Sequence, residues 1–461
     1  MKVCVLGCGL RTPLLLHGLL HSELEIDEIA LYDLDSQRSG LMAAMAVGIA
    51  EGPRTRVVAM PGAEEAIQDS HFVISSIRVG NMKTRAADER LALECGFAGQ
   101  ETTGPAGCAM ALRTIPVAIE YARIVERRAP SAWIVNFTNP AGTITQAIST
   151  HTGARVIGIC DTPAELFFQI ARVLDEPLDQ VRCGYFGLNH LGWVRSVQVR
   201  EKEVIGRLLS DDGMLRALYP SHLFEGTLMR SLGAIPTEYL FFYYNQSLAR
   251  ENQLRAGVTR GEELQTLNHR IWTELAASVQ SGDIPAAVEA YKRYLNRRNA
   301  SYMKLEGERG SAFHGPDPSW DPFEGATGYH RIAVDAIRAL MGSEAQPLVL
   351  NVSNQGSIEE LSSEDVIEVP CLVDRSGPRP SKIGSLPEAV RGLVASVKYY
   401  ERLTIEAAVE KRWDKAVFAL TVNPIVGSWD AARQFMEGLE RRDQEHFSAF
   451  RSRDILHSAA A

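Results

Sequence analysis

Val3-Cys4-Val5-Leu6-Gly7-Cys8-Gly9-Leu10-Arg11-Thr12-Pro13 opens the chain and decides its fold class. A run of β-branched and small apolar residues ends in Gly-x-Gly and passes, through Thr-Pro, into the apolar segment LLLHGLLHS at 14–22. Strand, glycine turn and helix in that order bring helix N-terminal amides against an anion, the arrangement that holds a pyrophosphate. The next apolar run, EIALYD at 28–33, ends in Asp33, about 24 residues past Gly9, where a carboxylate can accept hydrogen bonds from a ribose diol. A carboxylate there repels a 2′-phosphate, which favours NAD over NADP. Gly7, Gly9, Leu10, Arg11 and Asp33 are therefore expected to line a cofactor site. A plainer reading keeps the glycines as a tight turn and makes Asp33 the cap of the helix beginning DSQRSG. The third glycine of the dinucleotide pattern is missing, and Arg11 puts a cation where an anion would dock.

Over the first 160 residues, KVCVL, EIALYD, TRVVAM, FVISSI, WIVNFT and RVIGIC alternate with helical segments. Strands separated by helices pair in parallel, so the pattern predicts an α/β, doubly wound sheet of the Rossmann type. After Cys183 come longer, more polar strands (GYFGLNHLGWVRSVQVR), then mostly helices to about residue 300, then the Gly-, Pro- and Ser-rich stretch GERGSAFHGPDPSWDPFEGATGYH. A helix, the extended segments PLVLNVSN and DVIEVPCLV, and two long helical stretches follow. Two units are expected: a Rossmann-like NAD-binding domain at 1–185 and an α+β substrate-binding and oligomerisation domain at 186–461.

With 461 residues, 45% hydrophobic and 23% charged, the composition is that of a globular protein able to enclose a substrate. A net charge of −9 without any basic run disfavours nucleic acid as a partner and leaves small molecules. No stretch reaches the ~18 uninterrupted apolar residues of a membrane span, and the N-terminus reads directly as a strand; a cytoplasmic location is expected. The seven cysteines share no repeating spacing and make no disulfide framework.

The stretch IRVGNMKTRAADERLALECGFAGQETTGPAGCAMALRTIPVAIE is more specific than the turn. With Asn136-Phe137-Thr138-Asn139-Pro140-Ala141-Gly142, Gly158-Ile159-Cys160-Asp161 and Gly187-Leu188-Asn189-His190-Leu191, it closely resembles the NAD- and divalent-metal-dependent glycoside hydrolases of family 4. The GQETTGP run looks like their 6-phospho-β-glucosidase branch, and VPCLVD, VKYYERLTIEAAV and ALTVNPIV carry the resemblance over nearly the whole chain.

The resemblance implies a redox-elimination reaction outside the usual two-carboxylate plan: oxidation at sugar C3, deprotonation at C2, loss of the C1 substituent, addition of water and re-reduction. It implies that Cys160 and His190 hold the metal, Mn²⁺ first among candidates, although a thiolate is a softer ligand than manganese usually selects. Tyr239, in Ile235-Pro236-Thr237-Glu238-Tyr239-Leu240, is implied as the base. Asn136 is expected beside the cofactor, and Asn139, Asn189, Arg78, Arg85 and Arg260 against the sugar, where the arginine fork suits an anionic group. Asp161 is either the proton donor to the leaving group or the cap of the helix TPAELFFQIARVL. Family members are usually homodimers or homotetramers.

Two departures bear on the substrate. Family 4 phospho-glycosidases usually carry Gly-Gly-Gly-Ser-x-x-Thr-Pro; the turn here is one residue shorter, lacks the serine and contains Arg11. A Trp- and Pro-containing insertion also follows Ala300-Ser301-Tyr302. Both put the C6 group in question, and a sulfoquinovoside or an unphosphorylated glycoside stands as the alternative to a 6-phosphoglycoside. Arg11 is accordingly expected against the C6 anion as well as beside the cofactor. A plain sugar or 2-hydroxyacid dehydrogenase is the alternative of another class, but it would have no use for the Cys160–His190 pair.

Overall fold

The structure is a computed structural model that describes residues 1–50, 54–219, 223–305, 321–325 and 327–450. Most of the Trp- and Pro-containing insertion thus lies outside the described residues.

Six parallel strands form the frame: β1 (Lys2–Leu6), β2 (Glu28–Tyr32), β3 (Arg56–Ala59), β4 (Phe72–Ser75), β5 (Trp133–Asn136) and β6 (Arg155–Gly158). They run in the order β3-β2-β1-β4-β5-β6, as the alternation of strands and helices predicts. Because the order reverses between β1 and β4, the carboxyl ends of those strands open a crevice, and the Gly7–Gly9 turn stands at its edge.

A second sheet comprises β7 (Val181–Leu188), β8 (Leu191–Val199), β9 (Lys202–Glu203) and β10 (Ile235–Pro236). Asn189 and His190 form the two-residue turn between β7 and β8, and His190 has φ +59°. That left-handed backbone is what a tight two-residue hairpin turn asks of its residues.

The extended segments near residues 346–380, expected to belong to the second unit alone, join the first sheet. They form β11 (Gln346–Ser353), β12 (Val366–Asp374) and β13 (Gly377–Pro380), antiparallel to one another, with β11 pairing β6 at Asn351–Gly158. Nine strands therefore run in one sheet drawn from both halves of the chain. An apolar strand reads the same whichever neighbour it pairs with, so its period cannot reveal this.

One continuous apolar core joins the halves, from Leu6 and Leu16 at the glycine turn to Phe186, Trp193 and Phe241. The helix Ile284–Ala300 ties the halves together at the turn itself, where the Tyr291 hydroxyl donates to the Leu10 carbonyl at 2.7 Å.

Candidate active site

The turn is built for close approach. Gly7 has φ +88°, and a Cβ there would lie 2.6 Å from the Ser76 carbonyl oxygen, so only glycine fits between β1 and the segment after β4. Nothing lies within 4 Å of a Cβ added at Gly9, which leaves that backbone open to a ligand. Asp33 receives the Cys8 amide at 2.8 Å on one oxygen and the Asp35 amide at 2.9 Å on the other. The helix Ser36–Ile49 is capped by Asp35, which accepts from Gln37 N at 3.1 Å, so the capping role considered for Asp33 belongs to Asp35. A cleft of about 720 Å³ runs past Gly7, Gly9, Leu10, Asp33 and Asn139, within the range of small-molecule sites.

Asn136 departs from expectation. It is wholly buried, its amide donates to Ala141 O and Thr145 Oγ1 at 3.1 Å each, and its oxygen accepts from Thr138 N at 3.1 Å. Its side chain holds the turn that presents Asn139 and has nothing left for a cofactor.

Arg11 leaves the turn toward the reaction side of the cleft. Its guanidinium lies 4.3 Å from the Tyr329 ring centre and 5.7 Å from that of Phe137. Burial works against its charge, but Tyr329, Glu101, Asp161 and Tyr239 together outweigh that and raise its pKa. Arg78 and Arg85 meet at Glu101, 2.5 and 3.0 Å from the same carboxylate oxygen, and Arg85 also pairs with Glu89 at 2.8 Å. Burial opposes the charge on Glu101, yet Arg78, Arg85 and Arg11 hold its pKa below the usual carboxylate range. Arg260 stands apart from this trio, bonded to Glu263 at 3.0 Å, Ser301 Oγ at 2.5 Å and the Arg298 carbonyl at 2.9 Å.

Cys160, just past the end of β6, is buried, and burial together with Glu368 and Asp161 raises its thiol pKa well above the ordinary value. His190 is buried as well, and Thr102 Oγ1 meets its Nδ1 at 2.8 Å, which fixes the ring through that nitrogen. Burial lowers the His190 pKa to about 3, so the ring is neutral, the form that binds metals. The Tyr239 ring stacks on this imidazole, centroids 3.7 Å apart and planes 3° apart. Among the described residues no group of three or more His, Cys, Asp or Glu could enclose a metal ion. Cys160 and His190 would be the protein's donors to a bound cation, and the neutral imidazole is the form that could serve as one.

Asp161 precedes the helix Thr162–Leu174 but makes no capping bond, and Tyr329 lies close enough to favour its charged form. Burial raises its pKa and Arg11 opposes the rise. Asn189, expected at the sugar, donates to Glu368 at 3.0 Å, where Asn351 at 2.9 Å and the Tyr185 hydroxyl at 2.6 Å converge as well. Its amide thus braces the carboxylate beside Cys160.

Glu101, Glu238, Tyr302, Tyr329 and Glu368 belong to the site although no motif assigns them a role. Glu101 lies inside GQETTGP and Glu238 directly before Tyr239, so both stood in quoted motifs. Glu368 is a buried polar residue in an otherwise apolar strand, a pattern that marks a paired or working carboxylate.

A nucleotide-type turn at the switch point of a doubly wound sheet, whose Arg11 acts on a Tyr239 stacked on the buried His190, defines an enzyme with more side-chain chemistry than a cofactor turn alone. Residues 2–176 match the model of the family 4 glycosyl hydrolases and residues 185–426 match that of their C-terminal domain, and the chain belongs to this family. It is 28% identical to a probable 6-phospho-beta-glucosidase of Bacillus subtilis over 98% of both chains. The structure of the 6-phospho-beta-glucosidase of Thermotoga maritima with manganese, NAD⁺ and glucose-6-phosphate superimposes with a TM-score of 0.78 at 27% identity, covering 97% of this chain and 99% of that one. A 6-phospho-alpha-glucosidase from gut microorganisms, in complex with NAD and Mn²⁺, shares the fold with a TM-score of 0.80 at 21% identity, covering 96% and 98% of the two chains. Among the described residues no helix is long and apolar enough to cross a membrane.

Proposed function

We propose that this chain hydrolyses a hexoside carrying an anionic group at C6, with NAD and a divalent cation, Mn²⁺ foremost, as its cofactors. The observation that carries this reading is the stack of Tyr239 on His190, close enough to Cys160 and to Arg11 of the NAD-type turn for their charges to act on Tyr239. When bound, NAD and the cation supply transient oxidation of C3 and polarisation of the neighbouring sugar oxygens, which makes the C2 proton removable.

The chain's own groups do the rest. Gly7, Gly9, Leu10 and Asp33 hold the dinucleotide, and Cys160 and His190 supply the protein donors to the cation. Tyr239 takes the C2 proton. Asp161, kept protonated more readily by burial, gives a proton to the departing oxygen at C1. Asn139 faces a sugar hydroxyl, and Arg11 reads the C6 group. Arg78 and Arg85, held on Glu101, set the positive wall of the sugar site; Asn189 braces Glu368 and Arg260 fixes the adjoining helix. Residues 1–185 carry the cofactor and share the sugar site with 186–461, which supply His190 and Tyr239. The chain works as a homodimer or homotetramer, for which the exposed Phe418–Trp429 ring pair, centroids 5.0 Å apart, offers an apolar face; light scattering reads the assembly.

A sulfonate at C6 is the second reading, favoured by Arg11: one guanidinium on two aromatic rings matches a monoanion better than it matches a phosphate dianion. Rates on a 6-phospho-β-glucoside, a sulfoquinovoside and an unmodified glucoside, each with NAD⁺ and Mn²⁺, decide between them. Turnover must wash deuterium from C2 without net NADH; a product that keeps all its C2 deuterium defeats the proposal, and stoichiometric NADH points to a dehydrogenase.

A further inference from the structure

Glu238 is a partly buried carboxylate that the reaction outlined above does not use. It follows Thr237, which is wholly buried, and its Oε1 accepts from two hydroxyls, Thr162 Oγ1 at 3.1 Å and Tyr302 at 3.1 Å. Tyr302 in turn lies beside Tyr239, close enough for each hydroxyl to shift the other's ionisation. They come from two parts of the chain: Glu238 and Tyr239 from the turn after β10, Tyr302 from just past the helix Ile284–Ala300. The Tyr302 hydroxyl therefore neighbours that of Tyr239 and donates to the Glu238 carboxylate at 3.1 Å.

We propose that Tyr302 and Glu238 form a proton relay behind Tyr239, with Glu238 as the final acceptor of the charge taken from sugar C2. The proposal rests on Tyr239 as the base. As the C2–H bond breaks, its electron pair stays on the sugar and the proton goes to the Tyr239 oxygen. The Tyr239 proton passes to Tyr302, and the Tyr302 proton to Glu238 Oε1. One negative charge appears on the sugar while one carboxylate is neutralised, so no unpaired phenolate has to stand in the cleft. The proton leaves again when the sugar is re-protonated or water exchanges with the site.

The surroundings of Glu238 suit an acceptor that both takes and releases a proton. Burial raises its pKa to about 7, and the charged group acting on it is another carboxylate, Asp161, from the start of the helix Thr162–Leu174. Tyr185 on β7 and Tyr219 also face it, and both are held neutral by burial. A carboxylate fixed by an arginine, like Glu101, would stay ionised and could not serve.

The test uses full-length enzyme with NAD⁺, Mn²⁺ and 4-nitrophenyl 6-phospho-β-glucoside deuterated at C2, and follows washout of deuterium against pH. Tyr302→Phe, which removes one hydroxyl and keeps the ring, and Glu238→Gln should each slow washout by about 100-fold, the scale of general-base catalysis, with KM and NADH affinity unchanged. Wild-type washout should rise with pH through about 7, as Glu238 loses its proton, and Glu238→Gln should lack that rise. Wild-type rates with an unaltered pH profile in either variant overturn the relay. Tyr239→Phe separates the two ideas: if it washes out deuterium normally, the base assignment and the relay both fall, whereas a dead Tyr239→Phe beside an intact Tyr302→Phe removes the relay alone.

Discussion

The Tyr239 ring lies flat against the His190 imidazole, 3.7 Å away and 3° from parallel, so the proposed base and the proposed metal ligand are set by one contact. Replacing His190 by Ala should remove both a donor to the cation and the surface that orients Tyr239. Activity should fall about 1000-fold and extra Mn²⁺ should not restore it, because the ring would still be unsupported. Replacing Tyr239 by Phe keeps the stack, so Mn²⁺ affinity, read by electron paramagnetic resonance, should stay near wild type while turnover is lost. Recovery of His190→Ala by excess metal would show that the stack does not position the base.

Arg11 sits on Tyr329 and Phe137 and feels Glu101 and Asp161, all on the reaction side of the turn. Arg11→Ala should therefore raise KM for a C6-anionic glycoside at least tenfold, about 1.4 kcal/mol, and leave NADH binding within a factor of two or three. Equal losses in both would place the guanidinium on the pyrophosphate instead. Arg11→Lys should recover only part of the loss, since an ammonium cannot offer the planar fork.

At Gly7 a methyl group would strike the Ser76 carbonyl at 2.6 Å while forcing φ +88° on a residue with a side chain. Gly7→Ala should lower stability by about 1–3 kcal/mol in chemical denaturation and weaken NADH more than substrate. Asp33→Asn is the complementary change: it keeps one acceptor for the Cys8 amide but removes the charge, so discrimination against NADP should relax. A variant that still rejects NADP to the wild-type degree would take Asp33 out of cofactor selection.

The parallel half of the sheet was legible because its signals are local: β-branched runs, a glycine turn and an acid at the end of the second strand all fall within a few residues of one another. The three antiparallel strands at its far edge were not, since they join it through β11, whose partner β6 lies nearly 200 residues away in sequence. The site divides the same way. Cys160, His190 and Tyr239 stood inside recognisable motifs, and the fold brings Tyr239 onto His190. Side-chain commitments stayed hidden: that Asn136 spends its amide on its own turn, that Asn189 turns to Glu368, and that Asp35 rather than Asp33 caps its helix, are matters of rotamer and hydrogen-bond partner. Glu101 and Glu238 were hidden for a further reason. An acid in a sequence looks alike whether three arginines hold it ionised or burial brings it toward neutrality.

The helix carrying Arg11's turn, Thr12–Leu20, is fastened at its other end by two histidines. His17 stacks on His21 and Phe323, with centroids 4.1 and 4.5 Å apart, and its ring edge meets His330, which is 2% exposed. Burial lowers both pKa values to about 4; His21, His330 and Arg331 add to this at His17, where Asp321 opposes it, and Arg331 adds to it at His330. An imidazole whose pKa is depressed on folding stabilises the folded chain above its unfolded value near 6.5, and that contribution disappears as pH falls through the folded value. Between pH 6.5 and about 4 the unfolded chain binds protons that the folded chain refuses, so stability must drop. His330 should account for about 2 kcal/mol of that drop, and the more exposed His17 for less. His330→Asn cannot titrate: it should be less stable than wild type at pH 7, yet lose less on going to pH 4.5 in urea melts. Parallel curves for the two proteins across this range would mean that the histidine pair does not set the acid limit of the fold.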